Sequence, residues 1–129
     1  MDAAFDLITW IPVSRRRKLK RGYDQSFLLA ERVAAELNTR PVKLLKKTRH
    51  TKAQSSLKDA AARRANISGA YRAVNTEQII GKRILLIDDI LTTGATASEC
   101  ARTLLIAGAT EVTFAAIAAA SHDNSNKNR

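Results

Sequence analysis

Asp88 and Asp89 stand side by side, separated by Ile90 and Leu91 from a small hydroxyl-rich run, Thr92-Thr93-Gly94-Ala95-Thr96. Two adjacent carboxylates suit sugar hydroxyls or a hydrated Mg²⁺, because both want hard oxygen partners. The run behind them offers backbone N–H groups and a helix start, and both favour a phosphate. The acids would repel that phosphate, so acids and loop must address different parts of one ligand. Phosphate on one side and a diol or metal on the other describes a ribose 5-phosphate. Two plainer readings stay open: a structural ion site, and another kind of nucleotide-binding α/β protein.

The elements around the pair fit that chemistry. Ile84-Leu85-Leu86-Ile87, with Gly81 before it, reads as a parallel strand buried on both faces. Strand, acidic tip, loop and helix make the ligand end of a βα unit, at the sheet edge where open α/β folds bind small molecules. Ala97, Cys100, Ala101, Leu104 and Leu105 recur at helical spacing, and Gly108 suits the C′ position. Upstream, 5–13 reads as the first strand, with Pro12 marking its end. Asp24 or Ser26 can cap a helix reaching about Leu37, its stripe being Phe27, Ala30, Val33, Ala34 and Leu37. Asn38 and Pro41 stop it. Further strands are expected at 42–45 and 69–74, and a last buried one at 111–119.

Between them, 46–68 is polar and basic, with little periodicity beyond a helical turn or two at 60–65. A polar stretch of about twenty residues inside a compact domain usually means a functional lid. Strand–helix–strand, twice over, implies a parallel sheet with right-handed crossovers. The expectation is one three-layer α/β domain over 1–120, a mostly parallel sheet with flanking helices, followed by a disordered polar tail at 121–129.

Composition narrows the ligand classes. Across 129 residues, 22 basic side chains face 12 acidic ones, and the net charge of +10 favours phosphates, diphosphates or nucleic acid. The lone Cys100 excludes an internal disulfide and a multi-cysteine zinc site, fits a reducing cytosol, and sits where a core residue belongs. No segment holds the roughly 18–20 apolar residues of a bilayer span, and 1–10 is too short and acidic for a signal peptide. Cytoplasm is the expected location. His50 and His122 are isolated in sequence and receive no role.

The stretch 84–96 resembles the phosphoribosyl diphosphate signature of type I phosphoribosyltransferases, with Ala95 where a second glycine is common. The order of the remaining segments is similar to the ComF-type competence branch of that family. It rests on Ile11-Pro12-Val13 before the arginines, Arg21-Gly22-Tyr23-Asp24-Gln25-Ser26, Arg49-His50-Thr51-Lys52-Ala53-Gln54-Ser55-Ser56-Leu57, Arg63-Arg64-Ala65-Asn66 and Gly69-Ala70-Tyr71. Asp24 stands where that branch more often has Asn. The resemblance implies a type I phosphoribosyltransferase fold binding phosphoribosyl diphosphate with Mg²⁺. Asp88 and Asp89 would be the catalytic and metal-holding pair, and Thr92, Thr93, Gly94, Ala95 and Thr96 the 5-phosphate loop. Ser14, Arg15 and Arg16 would contact the diphosphate; a solvated basic turn is the alternative. The 46–68 segment would be the mobile lid, with Arg49, Lys52, Gln54 and Arg64 as candidates to touch the leaving diphosphate or, equally, as a solvated loop.

Members of that branch usually carry an upstream cysteine-rich zinc module, so the chain is expected to be a trimmed domain or a reduced member. Two classes of function follow: an enzyme transferring a ribosyl 5-phosphate group to a nitrogen acceptor, and a non-catalytic phosphoribosyl-binding module serving DNA uptake or regulation. Single-stranded DNA, a protein of the competence machinery and a second copy of the chain stay open as partners.

Overall fold

The central strand is apolar on both sides because both sides are covered. In the computed structural model, which describes residues 4–13, 24–48, 59–89 and 94–116, β4 (Arg83–Asp88) lies between β1 (Leu7–Trp10) and β5 (Glu111–Ala116). All three strands are parallel, with Leu7 opposite Ile84 on one side and Ile84 opposite Val112 on the other. Side chains alternate along β4 as a strand requires. Ile84 and Leu86 enter one core cluster, Leu85 and Ile87 the other.

The cluster around Leu85 and Ile87 is closed by helix α1 (Gln25–Glu36) through Leu29, Ala30 and Ala34. The opposite cluster is closed by α3 (Ala95–Ile106) through Cys100 and Leu104, together with Leu44, Leu45, Ile67 and Tyr71. Leu45 and Tyr71 belong to a second, two-stranded antiparallel ribbon of β2 (Leu45–Lys47) and β3 (Tyr71–Ala73), while Leu44 directly precedes β2 and Ile67 ends α2 (Ala60–Ile67), the helix before β3. The result is the expected three-layer α/β arrangement of a parallel sheet with flanking helices.

Local expectations are corrected in four places. Asp24, not Ser26, caps α1, accepting hydrogen bonds from the Ser26 and Phe27 amides at 3.1 and 3.4 Å. Leu37 leaves the apolar stripe: it lies past the helix end and is 53 % exposed, while Ser26 and Leu29 are buried instead. The strand expected at 42–45 is displaced to Leu45–Lys47, since the Val42 amide turns aside to donate to the Ile8 carbonyl of β1. The last strand is shorter than 111–119 within the described residues and not fully buried, with Glu111 and Thr113 exposed. Among those residues it pairs on one side alone, and an apolar run does not distinguish a central strand from an edge.

The 46–68 excursion is ordered at both ends. Lys46 and Lys47 extend β2, and α2 is a two-turn helix slightly longer than the turn expected at 60–65. The Asp59 side chain accepts a hydrogen bond from the Ala62 amide at 2.8 Å at the start of that helix. The Thr48 amide donates to the Ala70 carbonyl at 2.7 Å, so the excursion leaves and returns at one point. Residues 49–58 lie outside the described residues.

Cys100 is buried, and burial pushes its thiol well above the ordinary range. The nucleophile in thiol chemistry is the thiolate. Native protein should therefore resist a disulfide reagent such as Ellman's for hours and release one equivalent of chromophore on unfolding. Prompt reaction in the native state would contradict the packing of α3.

Candidate functional site

The carboxyl end of β4 carries the acidic pair, and what holds Asp88 comes from far away in sequence. The Ser26 hydroxyl, in the first turn of α1, donates to Asp88 Oδ1 at 2.7 Å. The Asp89 backbone amide donates to the same oxygen at 2.8 Å. Burial pushes the Asp88 carboxyl up to about 7. The two donors hold it down and the neighbouring Asp89 charge raises it again. A carboxyl that changes charge near neutral pH in a strand-end cleft is a mark of a ligand site.

Two carboxylates are a fitting donor set for Mg²⁺. That ion takes one or two protein carboxylates and completes its shell with water and phosphate oxygens, whereas a closed structural cation site needs more protein ligands. Among the described residues no cluster of three or more His, Cys, Asp or Glu side chains is present.

The loop and helix behind the pair have the geometry of an anion cradle. Gly94 is the N-cap of α3 with φ +82°, and glycine has no side chain with which to cap the helix. A left-handed backbone there costs an L-residue roughly 1–2 kcal/mol, although a Cβ would meet nothing within 4 Å. Conformation, not space, selects glycine. The first helical hydrogen bond, from the Ser98 amide to the Gly94 carbonyl, spans 2.8 Å. Partial positive charge accumulates at such a helix start. Gly94, Ala95 and Thr96 are thus on the same strand-to-helix connection as Asp88 and Asp89; Thr92 and Thr93 lie outside the described residues.

Ser14, Arg15 and Arg16 also lie outside the described residues; Ile11 before them and Ser26 after them lie beside the end of β4. On one side the Ile11 amide donates to the Ile87 carbonyl at 3.0 Å, extending the β1–β4 ladder to the residue before Asp88. On the other, Ser26 follows Asp24 by two residues and holds Asp88 itself. Packing reinforces this junction: the Trp10 and Phe27 rings meet edge to face, centroids 4.8 Å apart.

Of the expected lid residues, Arg49, Lys52 and Gln54 lie outside the described residues, and Arg64 is placed only as a position within α2. The foot of the excursion is tied to the site helix. Glu99 of α3 accepts from the Gly69 amide at 3.3 Å and pairs with Arg102 at 2.8 Å. Ser26, legible in the sequence only as a possible cap, is the residue that contacts the acidic pair. The one signal for it was a hydroxyl in a row otherwise filled by Leu29, Ala30, Val33 and Ala34.

Comparison with known proteins identifies the family and the fold. A model of the phosphoribosyl transferase domain matches residues 24–129. DNA utilization protein YhgH of Escherichia coli O6:H1 is 35 % identical over 108 residues, covering 83 % of this chain and 46 % of that protein. Competence protein F of Haemophilus influenzae is 32 % identical over 104 residues, covering 79 % and 45 %. The chain therefore spans a little under half the length of these curated relatives. Among solved structures, glutamine phosphoribosylpyrophosphate amidotransferase from B. subtilis superposes with TM-score 0.59 at 25 % identity, over 87 % of this chain and 22 % of the other. An allosteric regulatory enzyme of purine biosynthesis shares the fold at TM-score 0.59 and 24 % identity, over 88 % and 22 %.

Proposed function

The chain belongs to the phosphoribosyl transferase domain family, in its ComF-type branch, and from that premise we propose that it binds phosphoribosyl diphosphate with Mg²⁺ and transfers the ribosyl 5-phosphate group to a nitrogen acceptor. The observation that supports the reading is a carboxylate pair at the end of β4, its Asp88 held by Ser26, followed after a short stretch of chain by a glycine-capped helix start. Asp88 and Asp89 take the ribose 2′- and 3′-hydroxyls or hold the metal through water. The 92–96 loop takes the 5-phosphate, and Ser14, Arg15 and Arg16 approach the diphosphate in the forked geometry that guanidinium favours. When bound, Mg²⁺ supplies positive charge for the departing diphosphate.

The chain's own residues do the positioning. Attack on C1 with inversion needs the sugar fixed from two sides, and a site on strand and helix ends provides that rigidity. The 46–68 excursion acts as a lid bearing Arg49, Lys52, Gln54 and Arg64, keeping water from the cationic ribosyl centre. Calorimetry with phosphoribosyl diphosphate and Mg²⁺ tests binding, and diphosphate release in a screen of nucleobases and ammonia tests transfer. Binding without release from any acceptor would leave a binding module.

The names of the curated relatives favour that second reading, a phosphoribosyl-binding module acting in DNA uptake or regulation. The cytoplasm is the proposed location; no helix among the described residues is long and apolar enough to cross a membrane. Arg15, Arg16, Arg17, Lys18, Lys20 and Arg21 can neutralise about six phosphates. Single-stranded DNA should then bind with a logarithmic salt slope of about −4. Only Tyr23 lies close enough in sequence to stack on a base, so stacking adds little. Ile11 before these residues and Ser26 after them lie beside the acidic pair, so phosphoribosyl diphosphate with Mg²⁺ should displace a labelled oligonucleotide. A flat salt response removes the electrostatic account, and binding indifferent to the ligand places DNA on another surface.

A further inference from the structure

We propose that Ser26 is a positioning residue that decides which oxygen of Asp88 is offered to the ligand. The inference rests on the reading of Asp88 as a ligand-facing carboxylate. It starts from hydrogen-bond accounting. A carboxylate oxygen has two lone pairs, and Asp88 Oδ1 receives two donors, the Ser26 hydroxyl at 2.7 Å and the Asp89 amide at 2.8 Å. Oδ1 is thereby filled, so a cation or a sugar hydroxyl must be met by Oδ2, beside the Asp89 side chain that itself hydrogen-bonds the Asp88 carboxyl.

The serine is itself fixed at both its ends. Its amide donates to the Asp24 cap at 3.1 Å, and α1 is seated on the sheet through Leu29, Ala30 and Ala34. At 1 % exposure it occupies a place that alanine would fill, and alanine would carry no hydroxyl to desolvate. A hydroxyl kept in that row needs a polar task, and the acceptor it meets is 62 positions away at the tip of β4.

The same accounting constrains what asparagine would do at position 88. Both donors demand an acceptor, so the amide oxygen would take the place of Oδ1 and the amide N–H₂ would face the ligand. A donor would then stand where a cation or a hydroxyl proton needs an acceptor. The two side chains should therefore be energetically coupled, not independent.

A double-mutant cycle on the full chain reads this out, using calorimetry with phosphoribosyl diphosphate and MgCl₂. Ser26→Ala should weaken binding about tenfold, the effect of one lost charge-assisted hydrogen bond, with the thermal midpoint nearly retained. In the Asp88→Asn background the same change should cost less than about threefold, because the group it orients no longer serves the ligand. Equal losses in both backgrounds, or no loss with Asp88 intact, would overturn the proposal. If the unmodified chain does not bind the probe, the proposed function fails, and a crystal structure of Ser26→Ala decides the positioning role alone. A rotated Asp88 carboxyl supports it; an unchanged carboxyl plane overturns it.

Discussion

Replacing Asp88 and Asp89 together by asparagine should weaken phosphoribosyl diphosphate binding by about 10² to 10⁴. The size follows from the chemistry of the interactions removed. Each carboxylate would meet a metal-bound water or a sugar hydroxyl, and hydrogen bonds to charged groups contribute roughly 1.5–3 kcal/mol apiece. Two of them give that range. Neutral amides keep the shape of the site but lose the charge that attracts Mg²⁺. Calorimetry at fixed MgCl₂ measures the loss directly. Unchanged affinity in the double variant would remove the acidic pair from the site and the proposed function with it.

The unliganded protein should become more stable when Asp88 alone is changed to asparagine, and the gain should depend on pH. Burial holds the Asp88 carboxyl up to about 7 against an ordinary 3.8. Between those values the folded chain keeps a proton that the unfolded chain releases. Stability from this group is therefore fully present below about pH 4 and falls as pH rises towards 7. Each tenfold change in acidity corresponds to about 1.36 kcal/mol, and part of the carboxyl faces solvent, so the loss is about 3 kcal/mol. Asparagine accepts the same Ser26 and Asp89 hydrogen bonds and does not ionise. In metal-free buffer its thermal midpoint should match the unmodified chain at pH 4 and exceed it by about 10 °C at pH 8. A constant difference across that range would mean that Asp88 is not held as a buried acid. The Asp6–Arg83 pair has the opposite sign: the hydrogen-bonded guanidinium lowers the Asp6 carboxyl to about 2, so that exposed pair favours folding until acid protonates it.

Together the two outcomes describe a site that costs the free protein stability and recovers it when occupied. Under the proposed function, a buried acid is tolerated at the tip of β4 because a ligand charge would stand opposite it, the usual trade between stability and function. If the double variant keeps the stability gain expected for Asp88→Asn alone, its loss of binding cannot be ascribed to unfolding.

Local chemistry along the chain determined the central βα unit. Ile84 to Ile87 could only be buried on both faces, and Gly94 marked the turn that a helix start required, because side-chain periodicity and glycine's freedom at positive φ act over a few residues. Asp88, Asp89 and Gly94 to Thr96 fall on one strand-to-helix connection for the same reason, being near neighbours in sequence. The two faces of the sheet were equally legible in Ala30, Ala34, Cys100 and Leu104, though not in Leu37, where the helix ends before the periodic pattern does.

What only the tertiary structure decided depends on contacts between distant segments. The antiparallel pairing of β2 with β3, the half-exposed state of β5, and the tie from Glu99 to Gly69 each need two segments that no local pattern links. Above all, Ser26 and Asp88 meet across 62 positions because α1 packs against β1 and β4 and brings its first turn to the strand's end. A serine in a helix carries no mark of the carboxylate it will hold. That partner is set by the packing of helix on sheet, as is the desolvation that turns Asp88 from an ordinary acid into one poised near neutral pH.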